Sequence, residues 1–332
     1  MSKLNWGILS TAKIGTQKVI PGMLKSELFN VAAIASRNET AAQKTAEELG
    51  IPKAYGSYEA LIADPEIDII YNPLPNHLHV EFTAKAIVAG KHVLCEKPLF
   101  INPEDIQKLI SLRDQHQVKV GEAFMVKSHP QWKKAKEIVD TELGKVRLYN
   151  GTFTYHNIDP GNIRNKPEYA GGALWDIGCY PVMTSRYLFG ENPIRVFGEI
   201  QLDPEFGTDM LTSAILEYQG GKRATFTVST QLAPYQRVHV LGTKKEMELQ
   251  IPFNSPTDRP TLIKINEADI LQEKLQKIEV PACDQYQLQS EEFNQAVLNN
   301  SEVPVSLEDA ADHCKTIVGI FESAKSGSWV DL

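Results

Sequence analysis

The alternation of short β-branched runs with helical stretches over residues 1–121 is what most confines this 332-residue chain. Strand-like runs fall at residues 4–9, 31–35, 67–71, 92–95 and 119–123. The intervals between them accommodate a crossover helix, so successive strands should lie parallel, joined by right-handed connections and covered by helices on both faces. Helical punctuation agrees. Asn102-Pro103 reads as a cap with a first-turn proline, Glu104 and Asp105 favour the helix dipole, and Ile106, Leu109 and Ile110 form an apolar stripe. Gly50 and Gly90 suit helix C-terminal stops. Pro21 interrupts the first helical stretch, which predicts two short pieces within residues 13–26.

Beyond Glu122 the pattern turns to one or two helices followed by alternating strands, the mark of an α+β unit with a mainly antiparallel sheet. Between Lys222 and Thr230, the apolar Ala224, Phe226 and Val228 alternate with Thr225, Thr227 and Ser229, after a Gly220-Gly221 hairpin turn. An amphipathic helix closes the chain through Ala310, Cys314, Ile317 and Phe321. The expected class is therefore α/β. A doubly wound parallel sheet occupies residues 1–122, and an α+β domain with an open-faced, mainly antiparallel sheet occupies residues 123–332. The open face is a surface for pairing two copies, as a homodimer or a dimer of dimers, or else a merely solvated one.

Composition narrows the partners. A net charge of −8 without any basic tract gives no footing for nucleic acid or an anionic membrane surface. No apolar stretch approaches membrane-spanning length. Met1 leads straight into an apolar strand without the pattern of a secretion signal, and Cys95, Cys179, Cys283 and Cys314 are scattered. Reduced thiols in the cytoplasm are the expectation.

The first strand-to-helix turn carries the first chemical signal. Gly7-Ile8-Leu9-Ser10-Thr11-Ala12-Lys13-Ile14-Gly15 sets Ser10 and Ala12 where the glycines of G-x-G-x-x-G fall, and keeps Gly15. Small residues there let backbone N–H groups approach a pyrophosphate, as in a Rossmann domain, so Ser10, Thr11, Ala12, Lys13 and Ile14 are candidates for that cradle. After the second strand stand Ser36, Arg37 and Asn38, with no carboxylate to accept from a ribose 2′-hydroxyl. Arg37 suits a 2′-phosphate or the adenine face, so NADP(H) is favoured, with NAD(H) as the alternative.

Three further segments accompany that turn: Asn72-Pro73-Leu74-Pro75-Asn76-His77-Leu78-His79, Cys95-Glu96-Lys97-Pro98, and Gly171-Gly172-Ala173-Leu174-Trp175-Asp176-Ile177-Gly178-Cys179-Tyr180. Together they resemble the glucose-fructose oxidoreductase, inositol dehydrogenase and MocA family, and within it the dihydrodiol dehydrogenase and D-xylose dehydrogenase branch. The resemblance implies a nicotinamide-dependent enzyme acting on a sugar, polyol or dihydrodiol. It makes Lys97 the catalytic lysine and Tyr180 the acid/base, and it places Pro73, Leu74, Asn76, His79 and Glu96 with Lys97 around the cofactor.

Physical chemistry agrees with these roles. Lys97 lies just past a strand's carboxyl end, the edge where open parallel sheets bind ligands. Its ammonium can stabilise a developing alkoxide or lower the pKa of a neighbouring phenol, so either Lys97 or Tyr180 can hand over the proton. Asp176 precedes Tyr180 by four residues and serves either as a helix cap or in the active site. Met125, Phe153 and Tyr155 are candidates for a substrate wall or for core packing. His77 and His79 are too close in sequence to share a helix face, and no third ligand follows, so no metal is expected. Two rivals share the fold: a non-catalytic NADP-binding regulator, and a relative that cleaves glycosides with tightly held NAD.

Overall fold

A computed structural model describes residues 3–267 and 269–332. They form two compact units: residues up to Ser128 with Asp284–Ala311, and His129–Cys283 with Asp312–Leu332. Both units are discontinuous in sequence, which a single boundary near Glu122 does not express.

The first unit is built on six parallel strands, β1 (Leu4–Leu9), β2 (Phe29–Ala35), β3 (Lys53–Tyr55), β4 (Ile69–Asn72), β5 (His92–Glu96) and β6 (Val120–Ala123), in the order β3-β2-β1-β4-β5-β6. Strand order reverses beside β1, the switch point at which doubly wound sheets bind their ligands. Five strands fall where the sequence pattern puts them; β3 is a further short edge strand. The connections run through α1 (Ile20–Met23), α2 (Glu39–Leu49), α3 (Tyr58–Ile62), α4 (His79–Val88) and α5 (Ile106–His116). A wide helical turn, Gly15–Val19, precedes α1, giving two short pieces around Pro21. Asn38 and Ser57 cap α2 and α3 through side-chain oxygens, and Gly50 ends α2 at φ +69°.

Strand β1 is packed closely enough to need glycine. A Cβ at Gly7 would stand 2.5 Å from Leu61 Cδ2 of α3. Trp6 of β1 is fully buried, lies edge-on to Phe293 at 5.8 Å, and donates from its indole nitrogen to Asn294 Oδ1 at 3.3 Å. The helix Gln285–Leu298 thereby completes the first unit's core.

The second unit carries a nine-stranded sheet: β7 (Leu148–His156), β8 (Arg195–Leu202), β9 (Asp209–Glu217), β10 (Arg223–Ser229), β11 (Gln231–Leu241), β12 (Glu246–Leu249), β13 (Thr261–Asn266), β14 (Gln276–Val280) and β15 (Val330–Asp331). Its order is β14-β13-β12-β11-β7-β10-β9-β8-β15, and among the described residues of this sheet β7 with β10 is the one parallel pair. The expected alternation in β10 is present: Ala224, Phe226 and Val228 are buried, while Thr225 and Thr227 line the other face with Ser213 and Asn150. The helices α6 (Pro130–Thr141) and α7 (Cys179–Phe189) belong to this unit.

The start of α6 is pH-sensitive. Buried His129 accepts the Gln131 N–H at Nδ1 (3.0 Å), and burial lowers its pKa to about 4. The unfolded chain would take up a proton near 6.5 that the folded ring refuses, so His129 contributes stability above that pH and loses it as pH falls toward 4. His129→Asn keeps a capping oxygen and removes the titration. Thermal melts of the variant should lose less Tm between pH 7 and pH 5 than those of the native chain; equal losses would deny His129 this role.

Candidate active site

The first strand-to-helix turn is built around Ser10, which takes φ +83°, a conformation that usually calls for glycine. Its amide donates to Ala35 O at 2.9 Å, and its hydroxyl accepts the Ala12 N–H at 3.1 Å. The serine thus folds the turn by a side-chain bond where a glycine would rely on backbone freedom. No side chain caps the helical segment that follows, in contrast to α2 and α3. With small residues in the turn and no side-chain cap on the helix start, the residues present fit a dinucleotide pyrophosphate.

At the end of β2, Ser36 and Arg37 stand at the same edge of the sheet. The Ser36 amide donates to Tyr55 O and its hydroxyl accepts the Asn38 N–H. Arg37 is exposed and makes no hydrogen bond or ion pair among the described residues. Asn38 spends its side-chain oxygen on α2, accepting the Ala41 N–H at 3.1 Å.

Lys97 follows β5 directly, half-buried, and the Lys97–Pro98 peptide is cis. The chain around it is tied down on three sides. Tyr71 of β4 donates to Glu96 Oε1 at 2.5 Å, and buried Glu122 accepts the Leu99 N–H at 2.8 Å. Buried His79 lies between Pro98 O (2.8 Å from Nδ1) and Leu74 O (2.6 Å from Nε2). Burial raises the Glu96 pKa against the pull of Tyr71 and Lys97. It lowers that of His79, while the two carbonyls pull the other way.

His79 therefore has its ring enclosed between two main-chain carbonyls, and its neutral form donates to one of them at a time. It joins the Pro73-Leu74 loop to the lysine turn from within, and its ring is not presented to a ligand. Asn72 completes the joint, donating to His79 O and Thr83 Oγ1 and accepting the Leu74 N–H. Asn76 opens the short helical turn Asn76–Leu78 before α4. Among the described residues no group of three or more His, Cys, Asp or Glu side chains is arranged to hold a metal ion.

In the second unit, a wide helical turn, Leu174–Gly178, runs into α7, so Asp176 and Tyr180 share one continuous helical segment. Asp176 does not cap it. Its Oδ2 accepts the Tyr155 hydroxyl at 2.6 Å and the Arg164 Nε–H at 2.9 Å. Of the two roles considered for Asp176, the capping one is excluded by these partners.

Arg164 is the residue that sequence reasoning missed. It sits in a short helical turn, Ile163–Asn165, without motif or periodicity, and only its 12-residue separation from Asp176 offers a hint. Asp176 raises its pKa against the effect of burial, and Tyr180 lies within its field. Its side chain is 42% exposed, and its terminal nitrogens have no partner among the described residues. The Tyr155 hydroxyl is pushed up by burial first and Asp176 second.

Tyr180 is 5% exposed, edge-on to Phe153 with ring centroids 5.5 Å apart and 5.3 Å from the Phe253 ring. Phe153 is thus a packing residue beneath Tyr180, whereas Tyr155 reaches the Asp176 carboxylate. Met125 is buried in the first unit.

A small-residue turn at the switch point of a doubly wound sheet and a lysine fixed at a strand's carboxyl end fit a dinucleotide-dependent oxidoreductase. Residues 4–124 match an oxidoreductase family with an NAD-binding Rossmann fold, and residues 132–248 match the GFO/IDH/MocA C-terminal domain. The chain belongs to the GFO/IDH/MocA family. It is 44% identical over 331 residues to an uncharacterized oxidoreductase of Rhizobium meliloti, covering 99% of each chain. It is 37% identical to D-xylose 1-dehydrogenase (NADP(+)) 2 of Haloferax volcanii, over 98% of this chain and 99% of that protein. Among solved structures it is similar to KijD10, a 3-ketoreductase from Actinomadura kijaniata in complex with NADP and TDP-benzene. The TM-score is 0.90 at 26% identity, covering 97% of this chain and 98% of that one.

The paired glycines of the third motif have separate jobs. A Cβ at Gly171 would lie 2.4 Å from the Arg164 carbonyl oxygen. At Gly172, which takes φ +108°, it would lie 1.8 Å from Asp209 Oδ1. Gly172→Ala is expected to cost about 3 kcal/mol or more, through clash and strained φ together, and to lower Tm accordingly. A variant that melts with the native chain would refute this packing.

Proposed function

We propose that this chain is an NADP(H)-dependent oxidoreductase that interconverts a carbinol and a carbonyl carbon on a sugar, polyol or trans-dihydrodiol, with Lys97 and Tyr180 handling the proton. The observation that carries the reading is the immobilised Lys97 turn at the carboxyl edge of a sheet with an anion-receptive β1 turn. NADP(H) is preferred because Arg37 is an unpaired cation at the end of β2, and because the named relatives include an NADP(+)-dependent xylose dehydrogenase and an NADP-bound ketoreductase.

Ser10, Thr11, Ala12, Lys13 and Ile14 would hold the pyrophosphate. Ser36 and Arg37, with Asn38 behind them, would hold the 2′-phosphate. Pro73, Leu74, Asn76 and Glu96 would border the nicotinamide, with His79 holding their loop in place. NADP(H), when bound, supplies or takes the hydride.

In the reducing direction the substrate C=O π bond breaks as its carbon gains hydride, and negative charge builds on oxygen. Lys97 stabilises that oxygen by its charge, and Tyr180 donates the phenolic proton, which solvent replaces. Oxidation runs the same steps backward, with Lys97 easing deprotonation of the phenol. Arg164 balances the Asp176 carboxylate, so that Asp176 does not oppose ionisation of Tyr180, and its two terminal nitrogens are donors for substrate hydroxyls.

We also assign a homodimer, or a dimer of dimers, to the open face of the second sheet. A face of Thr225, Thr227, Ser213, Asn150 and half-exposed Tyr235 supports it. Four free cysteines suit the cytoplasm.

A turnover screen with NADP+ and NADPH over aldoses, polyols and dihydrodiols tests the reading, repeated with Lys97→Met and Tyr180→Phe. Each variant should lose about 100- to 10,000-fold in kcat while the dissociation constant for NADPH stays within about twofold. Cofactor binding without lysine-dependent turnover would make the chain a regulator. A nucleotide that survives purification would favour the glycoside-cleaving reading.

A further inference from the structure

The helical segment that carries Asp176 and Tyr180 has no cap of its own, since no side chain within it meets the N–H groups at its start. They are met from 35 residues away. Asp209, the first residue of β9, accepts the Leu174 N–H at Oδ2, 2.6 Å away, and the same oxygen accepts the hydroxyl of fully buried Thr212 at 2.9 Å. Asp209 itself is 3% exposed. A buried carboxylate is costly unless hydrogen bonds to its charged form compensate, and the positive end of a helix is a place that supplies them. The segment is shaped to receive it, because Gly172 leaves open the volume that Oδ1 fills.

We propose that Asp209 is the positioning residue of the active site: its carboxylate anchors the start of the helical segment at Leu174 and so fixes where Asp176 and Tyr180 stand. The proposal rests on the catalytic reading of Tyr180 and goes beyond it, because Asp209 touches neither substrate nor cofactor. Its geometry separates anchoring from ordinary strand stability. The 2.6 Å bond crosses from β9 to the catalytic segment, whereas the bond from Thr212 stays within the strand. Loosening the anchor should release the segment by a fraction of an ångström to an ångström, which is enough to cost a proton-transfer step dearly.

The test compares Asp209→Ala with Asp209→Asn, which keeps a carbonyl oxygen for the Leu174 N–H. In Asp209→Ala, amide exchange followed by mass spectrometry should speed up about 10-fold or more in the peptide covering residues 172–180, with the strands of the sheet unchanged. Turnover per NADPH-binding site should fall about 100-fold, the cofactor dissociation constant should hold, and Asp209→Asn should recover most of both. Native exchange and turnover in Asp209→Ala would overturn the proposal, as would exchange accelerated evenly over the whole sheet.

If Asp209→Ala does not fold, Thr212→Val removes the second bond and leaves the carboxylate in place. The same local exchange change, with a kcat loss of about threefold, is then expected, and an unaltered peptide 172–180 refutes the proposal. Exchange needs no turnover, so the two readings fail separately. Full activity in Tyr180→Phe beside a loosened segment in Asp209→Ala would sink the catalytic assignment and leave the anchor standing.

Discussion

The chain on either side of Lys97 is held by buried side chains, and every role assigned to that lysine depends on them. Tyr71 holds Glu96, His79 holds the Pro98 carbonyl, and Glu122 holds the Leu99 amide. Each is buried or nearly so and comes from a different element: β4, the start of α4 and β6. A lysine side chain carries roughly 2 kcal/mol of rotamer entropy, so an ammonium placed for chemistry gains from a backbone that cannot move beneath it. In this unit polar side chains are buried where they fix main chain, while Arg37 is exposed and Lys97 half-buried.

The second unit applies the same logic to an acid. Asp176 is balanced by Arg164 and Tyr155, and the helical segment it sits on is anchored by Asp209. Burial raises the Asp209 carboxyl to about 7, against the pull of the Leu174 amide and the Thr212 hydroxyl. Phe153 and Phe253 pack under the Tyr180 ring, so its position is set by aromatic contacts on one side and by a hydrogen-bonded segment on the other. The paired glycines of the third motif are specific clearances: Gly171 for a carbonyl oxygen, Gly172 for a carboxylate.

Much of this was legible in the sequence, and the parts that were not have physical reasons. Period-2 and period-3.6 patterns reveal elements that bury a face, so five strands of the first sheet and the alternation in β10 could be read directly, while the short, half-buried β3 left no pattern. The helix Gln285–Leu298 buries a largely polar face, with Gln285, Gln289, Ser290 and Asn294 beside Phe293, so its membership of the first unit was hidden. Ser10 could be placed in the turn by its small size, but its left-handed backbone could not be foreseen from a residue type that seldom adopts it. His79 was recognisable as a site residue, though its role in bracing the lysine turn depends on two carbonyls contributed by other loops. Arg164 and Asp209 escaped because they act through long-range contacts from a short helical turn and a strand end that bear no motif.

The account stands on a nicotinamide lying over the braced lysine turn. A crystal structure of the chain grown with NADP+ measures this most directly. It should place the pyrophosphate on N–H groups of residues 11, 13 and 14, the 2′-phosphate within about 3 Å of Arg37, and the nicotinamide carboxamide end beside Lys97. A dinucleotide bound with its nicotinamide turned away from Lys97, or excluded from the β1 turn, would contradict it.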